Sequence, residues 1–476
     1  MGILIAKAVC AIGVAGLGVM GRNLVLNLAD QGFPVAVYNR TPEKTRDFLA
    51  QEVSWQDIHA GYTPGELVNL LRRPRAIIIM VSAGAGVDAV IEELLPLLTP
   101  GDLLMDGGNS HFADTDRRGR MLAARGLHFL GLGISGGSRG ARYGLSLMAG
   151  GSREGYEQMR PFWEAVAARV QGEPCAAYLG PGAAGHYVKM VHNGIEYGLM
   201  QLIAETYDLL RRGLGLEAAA LAEIYDAWNR SELNSYLMEI TANIFRRRDR
   251  LTGKPLVQVI MDQAKQKGTG MWASWDAMDL QAPIPTIDAA VTMRELSEYK
   301  AEREEAAQVL EGPASPYGGD RERFIHQVKN ALYAGMVITY AQGFAFLQQA
   351  SQAYGYGLDL ATVARIWRGG CIIRASLLEE VRAAYHMQPE LPNLLLDAPL
   401  GRKVMARQGD WRQVAAAALS LGIPAPALMA SLAYFDAYRS KVLPTNLIQA
   451  QRDYFGAHTY ERVDREGVFH TEWEEE

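Results

Sequence analysis

Gly16-Leu17-Gly18-Val19-Met20-Gly21 is the stretch that decides the fold, because of the residues on either side of it. Residues 9–14 before it form a short apolar run that predicts a buried strand, and residues 20–29 have the apolar spacing of a helix. Between a strand and a helix, these glycines allow a tight turn and let the backbone approach a pyrophosphate at the helix N-terminus. In isolation the same glycines would fit an ordinary tight turn, so the order of elements carries the prediction of a dinucleotide site.

Further apolar runs alternate with helical patterns over the first 180 residues, as expected for a parallel α/β sheet. The additional predicted strands are residues 35–39, 76–81, 103–106 and 128–132. The pattern changes at Gly180-Pro181-Gly182, after which nearly every segment to about residue 437 is helical. We therefore predict a Rossmann-type dinucleotide-binding domain in residues 1–182, a large all-α domain in residues 183–437 and a C-terminal tail in residues 438–476.

The helical part contains an internal similarity. Residues 191–205 (VHNGIEYGLMQLIAE) align with residues 328–342 (VKNALYAGMVITYAQ), sharing Val, Asn, Gly and Ala positions. This favours a duplicated helical unit, although amphipathic helices also match by chance. The tail differs from both, because it is polar and aromatic and has little apolar periodicity. Such a segment has no core of its own, so it is expected to lie on another surface or to be disordered.

Composition and charge argue against several classes of protein. A formal net charge of −6 argues against a nucleic-acid partner, and no run reaches the roughly 18 apolar residues that a membrane span needs. The three cysteines, Cys10, Cys175 and Cys371, give neither a disulfide framework nor a CxxC motif, which favours a cytoplasmic protein. No spacing of His or carboxylate residues indicates a bound metal.

The end of the second predicted strand indicates which cofactor is bound. An NAD site usually has an acidic residue there for the ribose 2′-hydroxyl, whereas an NADP site needs a cation. This chain has Asn39-Arg40-Thr41, in which Arg40 is able to stack on adenine and neutralise a 2′-phosphate. The sequence thus favours NADP, with NAD as the second possibility.

A polar stripe follows the predicted domain boundary. Lys189, His192, Asn193, Glu196 and Tyr197 occupy positions i, i+3, i+4, i+7 and i+8, which share one face of a helix. Such a stripe is often a solvated surface, but here the opposite face is apolar, so the helix is anchored and its polar face is able to border a cleft. A desolvated lysine is a candidate base and a partly protonated glutamate a candidate acid. Together they suit a substrate that loses a hydroxyl proton and later gains a proton on carbon.

Several longer motifs are specific enough to indicate a family. They are residues 189–201 (KMVHNGIEYGLMQ) with Gly185-His186 before them, 106–110 (DGGNS), Ser135-Gly136-Gly137, 140–144 (GARYG), 267–270 (KGTG) and 446–462 (NLIQAQRDYFGAHTYER). These motifs resemble the 6-phosphogluconate dehydrogenase family of the β-hydroxyacid dehydrogenases, from about residue 11 to residue 473. The resemblance implies oxidation of 6-phospho-D-gluconate by NADP, loss of CO2 and release of ribulose 5-phosphate, in the pentose phosphate pathway and gluconate utilisation.

The resemblance also implies roles for individual residues, with Lys189 as the general base, Glu196 as the acid and Asn193 beside them. The expected substrate ligands are Asn109, Ser135, Gly136, Gly137, His192, Asn193, Tyr197, Arg294, Arg452 and His458. The expected cofactor-binding residues are Gly16, Leu17, Gly18, Val19, Met20, Gly21, Asn39, Arg40, Thr41, Val81, Ser82, Ala83 and Asn109. Because Arg452 and His458 lie in the tail, the family implies a homodimer in which each tail completes the partner's site.

Four positions depart from the family pattern. Ser138-Arg139 stands where two glutamates are usual, Ser82 replaces a lysine beside the cofactor, and Gly18 replaces an alanine. The fourth is Met271, which replaces a lysine expected to contact the substrate phosphate.

The Met271 departure has three interpretations. Affinity for the phosphate is reduced while the remaining ligands suffice, or the substrate lacks the usual phosphate, or Met271 only packs and Lys267 supplies the charge. The neighbouring Trp272 and Trp275 are expected to be packing residues.

Two other functions stay open at the level of sequence. One is the same chemistry on a related sugar acid or β-hydroxyacid, and the Arg452/His458 pair weighs against it. The other is a catalytically weak NADP-binding paralogue, and intact Lys189 and Glu196 weigh against that.

Overall fold

A mixed β-sheet dominates the first part of the chain in the computed structural model, which describes residues 9–52, 57–313 and 316–474. The strands in this part are β1 (Ile12–Ala15), β2 (Val35–Tyr38), β3 (Ile58–Ala60), β4 (Ala76–Ile79), β5 (Leu103–Asp106), β6 (His128–Ser135), β7 (Ser146–Gly151), β8 (Arg169–Val170), β9 (Glu173–Pro174) and β10 (Ala176–Gly180). Strands β8 and β9 form a separate short hairpin, and the others form one eight-stranded sheet.

The strand order of this sheet is β10-β7-β6-β5-β4-β1-β2-β3. Strand β1 lies between β2 and β4 and is parallel to both, so the order reverses beside it, and ligands of such sheets bind at the carboxyl ends of strands at this point. The predicted strands are parallel to one another, as expected, but the sheet continues beyond β6 with β7, which was not predicted and runs antiparallel to β6. Strand β7 contains Gly150 and Gly151 and gave no clear strand pattern in the sequence.

Helices cover both faces of this sheet. They are α1 (Val19–Asp30), α2 (Pro42–Glu52), α3 (Pro64–Leu70), α4 (Ala85–Leu94), α5 (Phe112–Ala123), α6 (Gly137–Tyr143) and α7 (Arg153–Val166). The first predicted strand starts three residues later than expected, since Cys10 makes only an isolated bridge to Leu71. The predicted Rossmann-type first part, followed by a large helical part, is confirmed.

The helical part begins with α8, which packs closely on the sheet. Its helices are α8 (Ala184–Asp208), α9 (Ala218–Asn229), α10 (Tyr236–Arg246), α11 (Thr269–Asp279), α12 (Pro285–Glu298), α13 (Lys300–Val309), α14 (Arg321–Tyr354), α15 (Leu360–Trp367), α16 (Leu377–Met387), α17 (Ala398–Leu421) and α18 (Pro426–Tyr438). A Cβ on Gly185 would lie 2.3 Å from the carbonyl oxygen of Gly131, and a Cβ on Gly133 would lie 2.6 Å from Lys189 Cβ. Glycines at this contact therefore bring the N-terminal turns of α8 directly against β6.

The two aligned segments of the helical part lie on α8 and α14, the long central helices. Each is followed by two shorter helices, α9 and α10 after α8, and α15 and α16 after α14. The two long helices cross closely, because a Cβ on Gly343 would lie 2.4 Å from the Ile195 side chain and one on Gly198 would lie 2.7 Å from Thr339. This arrangement supports the interpretation of a duplicated unit.

The tail is more ordered than its sequence suggested. It consists of α19 (Thr445–Gly456) and a hairpin of β11 (Tyr460–Glu461) and β12 (Val468–Phe469). The fully buried Asp453 carboxylate holds them together by accepting hydrogen bonds from the backbone N–H groups of Thr459 (2.9 Å) and Thr471 (3.1 Å) and from Trp473 Nε1 (2.9 Å). Disorder is thus wrong for the described tail, whose last residues, 475–476, lie outside the described range, as do residues 1–8 of the first predicted domain.

Residues 9–52, 57–313 and 316–474 contain neither a membrane-spanning helix nor a cluster of metal ligands. No helix there has both the length and the apolarity needed to cross a membrane. Nor does that part of the chain contain a group of three or more His, Cys, Asp or Glu side chains arranged to hold a metal ion.

Candidate active site

The glycines of the loop formed by residues 16–21 allow neighbouring backbone segments to approach closely. Gly16 has a φ of 114°, and a Cβ there would lie 2.4 Å from the Met80 carbonyl oxygen. A Cβ on Gly21 would lie 2.0 Å from the Gly16 carbonyl oxygen, so both positions require glycine. Nothing lies within 4 Å of a Cβ on Gly18, so the glycine that departs from the family pattern occupies open space.

This loop borders a cleft of about 710 Å³ at the carboxyl edge of the sheet. The predicted cofactor residues that line it are Gly18, Val19, Met20, Gly21, Val81, Ser82, Ala83 and Asn109. The cleft is also lined by residues that were not predicted to bind the cofactor, which are Met80, Gly84, Gly107, Gly108, His111, Asp114, Ile134, Lys267, Thr269 and Trp272. Trp272 packs against the hydrophobic core of the helical part, as predicted, and also lines the cleft, whereas Trp275 is 57% exposed rather than packed.

The end of β2 is tied to the glycine loop. The Asn39 side chain accepts a hydrogen bond from the Leu17 backbone N–H (3.1 Å) and donates one to the Thr41 carbonyl (3.2 Å). Leu17 itself is buried. Asn39 therefore shapes the loop, while Arg40 and Thr41 are exposed beside it.

Helix α8 places Lys189 at the end of β6. Lys189 is 6% exposed, and its Nζ donates a hydrogen bond to Ser135 Oγ at 3.2 Å. Ser135 follows Ile134, which lines the cleft, so the amino group lies next to the cofactor cleft. Burial lowers the pKa of Lys189, against the opposing effect of the Glu196 carboxylate. The lowered pKa makes the neutral amine, which is the form that accepts a proton, easier to reach than in an exposed lysine.

His192 links the other polar residues of this face. Its ring nitrogens lie 3.1 Å (Nδ1) from Asn193 Oδ1 and 3.3 Å (Nε2) from Ser135 Oγ. Burial lowers the pKa of His192 well below its usual value, and the Lys189 charge lowers it further. The neutral imidazole is able to donate from Nδ1 to Asn193 and to accept at Nε2 from the Ser135 hydroxyl. Because His192 stays neutral, Lys189 is the basic group of this cluster that is able to change charge.

Glu196 lies two turns after Lys189 on α8. Its Oε2 is 3.8 Å from His192 Nδ1. Burial raises the pKa of Glu196, against the opposing charges of Lys189 and Arg294. A base with a lowered pKa and an acid with a raised pKa thus share one face of α8, as proton transfer at neutral pH requires.

The Ser135-Gly136-Gly137 turn is held by a contact from the second helical unit. Gly136 and Gly137 have φ values of 108° and 60°, and a Cβ on Gly136 would lie 2.5 Å from the Gly370 carbonyl oxygen. Only glycine fits this position. Ser138 and Arg139, which replace the usual glutamates, are exposed on the first turn of α6.

Tyr197 and Arg294 form a pair beside the KGTG loop. The Arg294 guanidinium lies over the Tyr197 ring, 3.5 Å from its centroid. A Cβ on Gly270 would lie 2.4 Å from the same ring. Met271 packs against Tyr197 and Val291, so its side chain lies in a small apolar cluster, whereas Lys267 lines the cleft.

The tail residues Arg452 and His458 are not brought to α8 within one chain. Both are exposed, Arg452 donates to Gln449 within α19 (3.2 Å), and the His458 ring lies edge-on to Phe455. The other predicted substrate residues, from Asn109 to Arg294, lie along the cleft and the adjoining face of α8.

The amino-acid sequence matches two family descriptions that together span most of the chain. Residues 11–180 match the NAD binding domain of 6-phosphogluconate dehydrogenase, and residues 185–473 match the 6-phosphogluconate dehydrogenase C-terminal domain. The chain belongs to the 6-phosphogluconate dehydrogenase family. The resemblance noted in the sequence is therefore confirmed.

Individual members of the 6-phosphogluconate dehydrogenase family match the whole chain. The decarboxylating enzyme of Synechococcus elongatus is 54% identical over 464 residues, covering 97% of this chain and 98% of that protein. The NADP(+)-dependent, decarboxylating enzyme of Bacillus subtilis is 52% identical with the same coverage. The Plasmodium falciparum enzyme, solved in its apo form, with NADP+ and with 6-phosphogluconate, has a TM-score of 0.95 at 42% identity and covers 98% of this chain and 100% of that chain.

Proposed function

We propose that this protein is an NADP-dependent, decarboxylating 6-phosphogluconate dehydrogenase of the pentose phosphate pathway. It oxidises 6-phospho-D-gluconate at C3 and releases CO2, ribulose 5-phosphate and NADPH. The observation that carries the proposal is the pairing of Lys189, with its lowered pKa, and Glu196, with its raised pKa, beside a dinucleotide cleft. The 52–54% identity to enzymes of this name supports the same substrate.

The residues of the cleft fit NADP. Gly16 and Gly21 have no room for a side chain, the space beside Gly18 is open, and α1 begins directly after it, as a pyrophosphate site requires. When bound, NADP accepts the hydride from C3 of the substrate. Exposed Arg40 supports binding of the 2′-phosphate, and Asn39 holds the loop through Leu17.

Lys189 and Glu196 divide the proton transfers. Neutral Lys189 takes the proton of the C3 hydroxyl as the hydride leaves C3, and the resulting ammonium then polarises the new C3 carbonyl. This withdrawal of electrons allows the C1–C2 bond to break and CO2 to leave. Lys189 returns its proton to the C3 oxygen as CO2 leaves, which gives the enediol. Glu196 then gives its proton to the carbon that has lost CO2 while Lys189 takes back the C3 hydroxyl proton, and the enediol becomes the ketone. The raised pKa of Glu196 supports this role, because the carboxyl must arrive protonated.

The remaining polar groups orient the sugar acid. Ser135 with Gly136 and Gly137 would hold its carboxylate end, and His192 and Asn193 its hydroxyl groups, with Asn109 between the substrate and the cofactor. Ser135 already accepts from Lys189, so the carboxylate and the C3 hydroxyl would lie close to the base. These are the positions that a β-hydroxyacid needs for both chemical steps.

The phosphate of the substrate would lie beside the Tyr197–Arg294 pair. Lys267 is the best candidate for the further charge, because it lines the cleft while Met271 is packed against Tyr197 and Val291. The substitution at position 271 then removes no phosphate contact. Arg452 and His458 would complete the phosphate site from the other subunit of a homodimer.

The substrate assignment is tested by measuring NADPH and CO2 formation from 6-phosphogluconate beside unphosphorylated gluconate. We expect a clear preference for the phosphorylated acid, because Arg294, Lys267 and Arg452 would have no partner in gluconate. A preference for gluconate or another β-hydroxyacid would mean that the substrate assignment is wrong, and oxidation of neither acid would indicate a binding protein without activity.

The Lys267 assignment predicts a contrast between two substitutions. Lys267→Met should raise KM for 6-phosphogluconate by about 10-fold or more, since a hydrogen bond to a charged group contributes about 1.5–3 kcal/mol. Met271→Lys should leave KM nearly unchanged. Steady-state kinetics with 6-phosphogluconate measures both. A large decrease of KM in Met271→Lys would instead mean that the wild type lacks a phosphate ligand at that position.

The cofactor assignment predicts that Arg40→Ala lowers kcat/KM for NADP by about 10–100-fold, the loss expected for charge-assisted contacts to the 2′-phosphate. The same constant for NAD should change little, because NAD has no such phosphate. Arg46→Ala is the matched control, since Arg46 is also exposed on this edge but pairs with Glu43 and covers Tyr62. A wild type that favours NAD would contradict the assignment.

The same proposal implies a cytoplasmic protein without a nucleic-acid partner. Cys10, Cys175 and Cys371 are free thiols, all buried, which suits a reducing cytoplasm. The net charge of −6 gives no support for a nucleic-acid partner.

A further inference from the structure

Trp272, on helix α11 of the helical part, forms part of one wall of the cofactor cleft. The Trp272 ring lies over Gly268, where a Cβ would be 3.3 Å from the ring, and meets the edge of His111 at a centroid distance of 5.0 Å. His111 lines the same cleft. The position of α11 therefore sets the shape of the cleft on the side opposite the glycine loop.

Asp276 follows Trp272 by one turn on α11 and is 6% exposed. Its carboxylate accepts hydrogen bonds from two hydroxyl groups on other helices, those of Tyr187 on α8 and Tyr354 on α14, the latter at 2.7 Å. Burial raises the pKa of both tyrosines, and the Asp276 charge raises each further, so both hydroxyls keep their protons and donate. Asp276 thus joins α11 to the catalytic helix two residues before Lys189.

Ring contacts connect the same groups by a second route. The Phe112 ring packs against Tyr187 (5.1 Å between centroids) and stacks on His111 (4.7 Å). Since His111 meets Trp272, the path from Asp276 through Tyr187, Phe112 and His111 returns to α11. This closed set of contacts includes two residues that line the cleft, His111 and Trp272.

We propose that Asp276 is a positioning residue that fixes α11 against α8 and so places Trp272 and Lys267 for binding of the cofactor and the substrate. The proposal rests on the function proposed above. Without the two hydroxyl donors, a buried carboxylate has no hydrogen-bond partner and α11 moves to hydrate it. The cleft wall moves with the helix, whereas Lys189 keeps its contacts with Ser135 and His192.

The experiment compares tyrosine variants that keep their rings. Tyr187→Phe combined with Tyr354→Phe removes both donors to Asp276. Tyr356→Phe is the matched control, because Tyr356 is buried beside both rings (5.5 and 5.6 Å) but its hydroxyl has no hydrogen-bond partner among the described residues. The measurements are the Kd for NADP by calorimetry, KM for 6-phosphogluconate, kcat, and Tm by circular dichroism.

The double variant should raise the Kd for NADP by about 10-fold, the loss corresponding to one charge-assisted hydrogen bond, and should raise KM for 6-phosphogluconate. Its kcat at saturation should stay within about 3-fold of wild type, since the reacting groups are untouched. Tyr356→Phe should change none of the binding constants. Asp276→Asn should recover part of the affinity relative to Asp276→Ala, because an amide still bonds both tyrosines.

Two outcomes would overturn this proposal. A lower Tm with unchanged Kd and KM in the double variant would mean that Asp276 only stabilises the fold. An equal loss of affinity in Tyr356→Phe, which removes no donor to Asp276, would mean that the loss does not come from the Asp276 carboxylate. Failure of the proposed function is recognised separately, because the wild type itself would then neither bind NADP nor oxidise 6-phosphogluconate.

Discussion

Lys189→Ala is expected to abolish oxidation of 6-phosphogluconate, with kcat lowered by more than about 10⁴-fold, the upper end of the scale for acid–base groups. The physical reason is the lack of a substitute. His192 is a weak base, because burial and the Lys189 charge lower its pKa. The Ser135 hydroxyl, which hydrogen-bonds His192, is not a base at neutral pH. No nearby group would take the C3 hydroxyl proton. Single-turnover formation of NADPH measures the oxidation step directly.

The control for this variant is Lys189→Arg. Arginine keeps the cation but does not release its proton, so we expect binding of substrate and almost no oxidation. Glu196→Gln should lower turnover less, by about 10²–10⁴-fold, because a water is able to protonate the carbon slowly. A Lys189→Ala enzyme within about 10-fold of wild-type turnover would remove Lys189 from the mechanism.

The pH dependence of the wild type follows from the same two groups. Lys189 must be neutral, so the rate rises as pH increases through its lowered pKa. Glu196 must be protonated, so the rate falls as pH increases through its raised pKa. The result is a bell-shaped profile, and Glu196→Gln should remove the fall at high pH.

The central features were predictable because each depends on residues close in sequence. The glycine motif needs only its flanking strand and helix, and the five polar residues from Lys189 to Tyr197 share one helix, whose spacing fixes their common face. The family motifs added the roles, which depend on chemistry rather than on folding.

The features that could not be predicted depend on distant parts of the chain. Trp272 lines the cofactor cleft, and Asp276 on the same helix reaches Tyr187 and Tyr354 on two other helices. The spacing of residues in the sequence does not reveal contacts of this kind. Strand β7 pairs antiparallel with β6, although its Gly150 and Gly151 reduce intrinsic strand preference. The order of the tail depends on one buried carboxylate, Asp453, with donors up to 20 residues away.

The second large expected effect concerns the C-terminal tail, residues 438–476. Its exposed apolar side chains are unusual for a surface, with Phe455 72% exposed and Leu447 62% exposed, and they indicate a face that another molecule covers. Arg452 lies on the same helix, where it is exposed and donates a hydrogen bond to Gln449. We infer that the covering molecule is a second copy, and that Arg452 and His458 enter its active site.

A chain ending at Lys441 should therefore lose activity while its glycine loop and cleft still bind NADP. Calorimetry with NADP and the rate of NADPH formation separate these two effects. Arg452→Ala alone should raise KM for 6-phosphogluconate by about 10-fold or more, since one charged contact to the phosphate is lost. Loss of NADP binding in the shortened chain would mean instead that the tail is needed for folding.

Mixing Lys189→Ala chains with Arg452→Ala chains tests the exchange of tails directly. In a mixed dimer, the intact Lys189 of one chain meets the intact Arg452 of the other, so one of the two sites is complete. Random mixing in equal amounts should give about one quarter of wild-type activity at substrate concentrations near the wild-type KM. If mixed dimers form, as shown by native mass spectrometry, and the activity of the mixture does not exceed that of the Arg452→Ala chains alone, each tail serves its own subunit. The active site would then be complete within one chain, contrary to the exposed positions of Arg452 and His458.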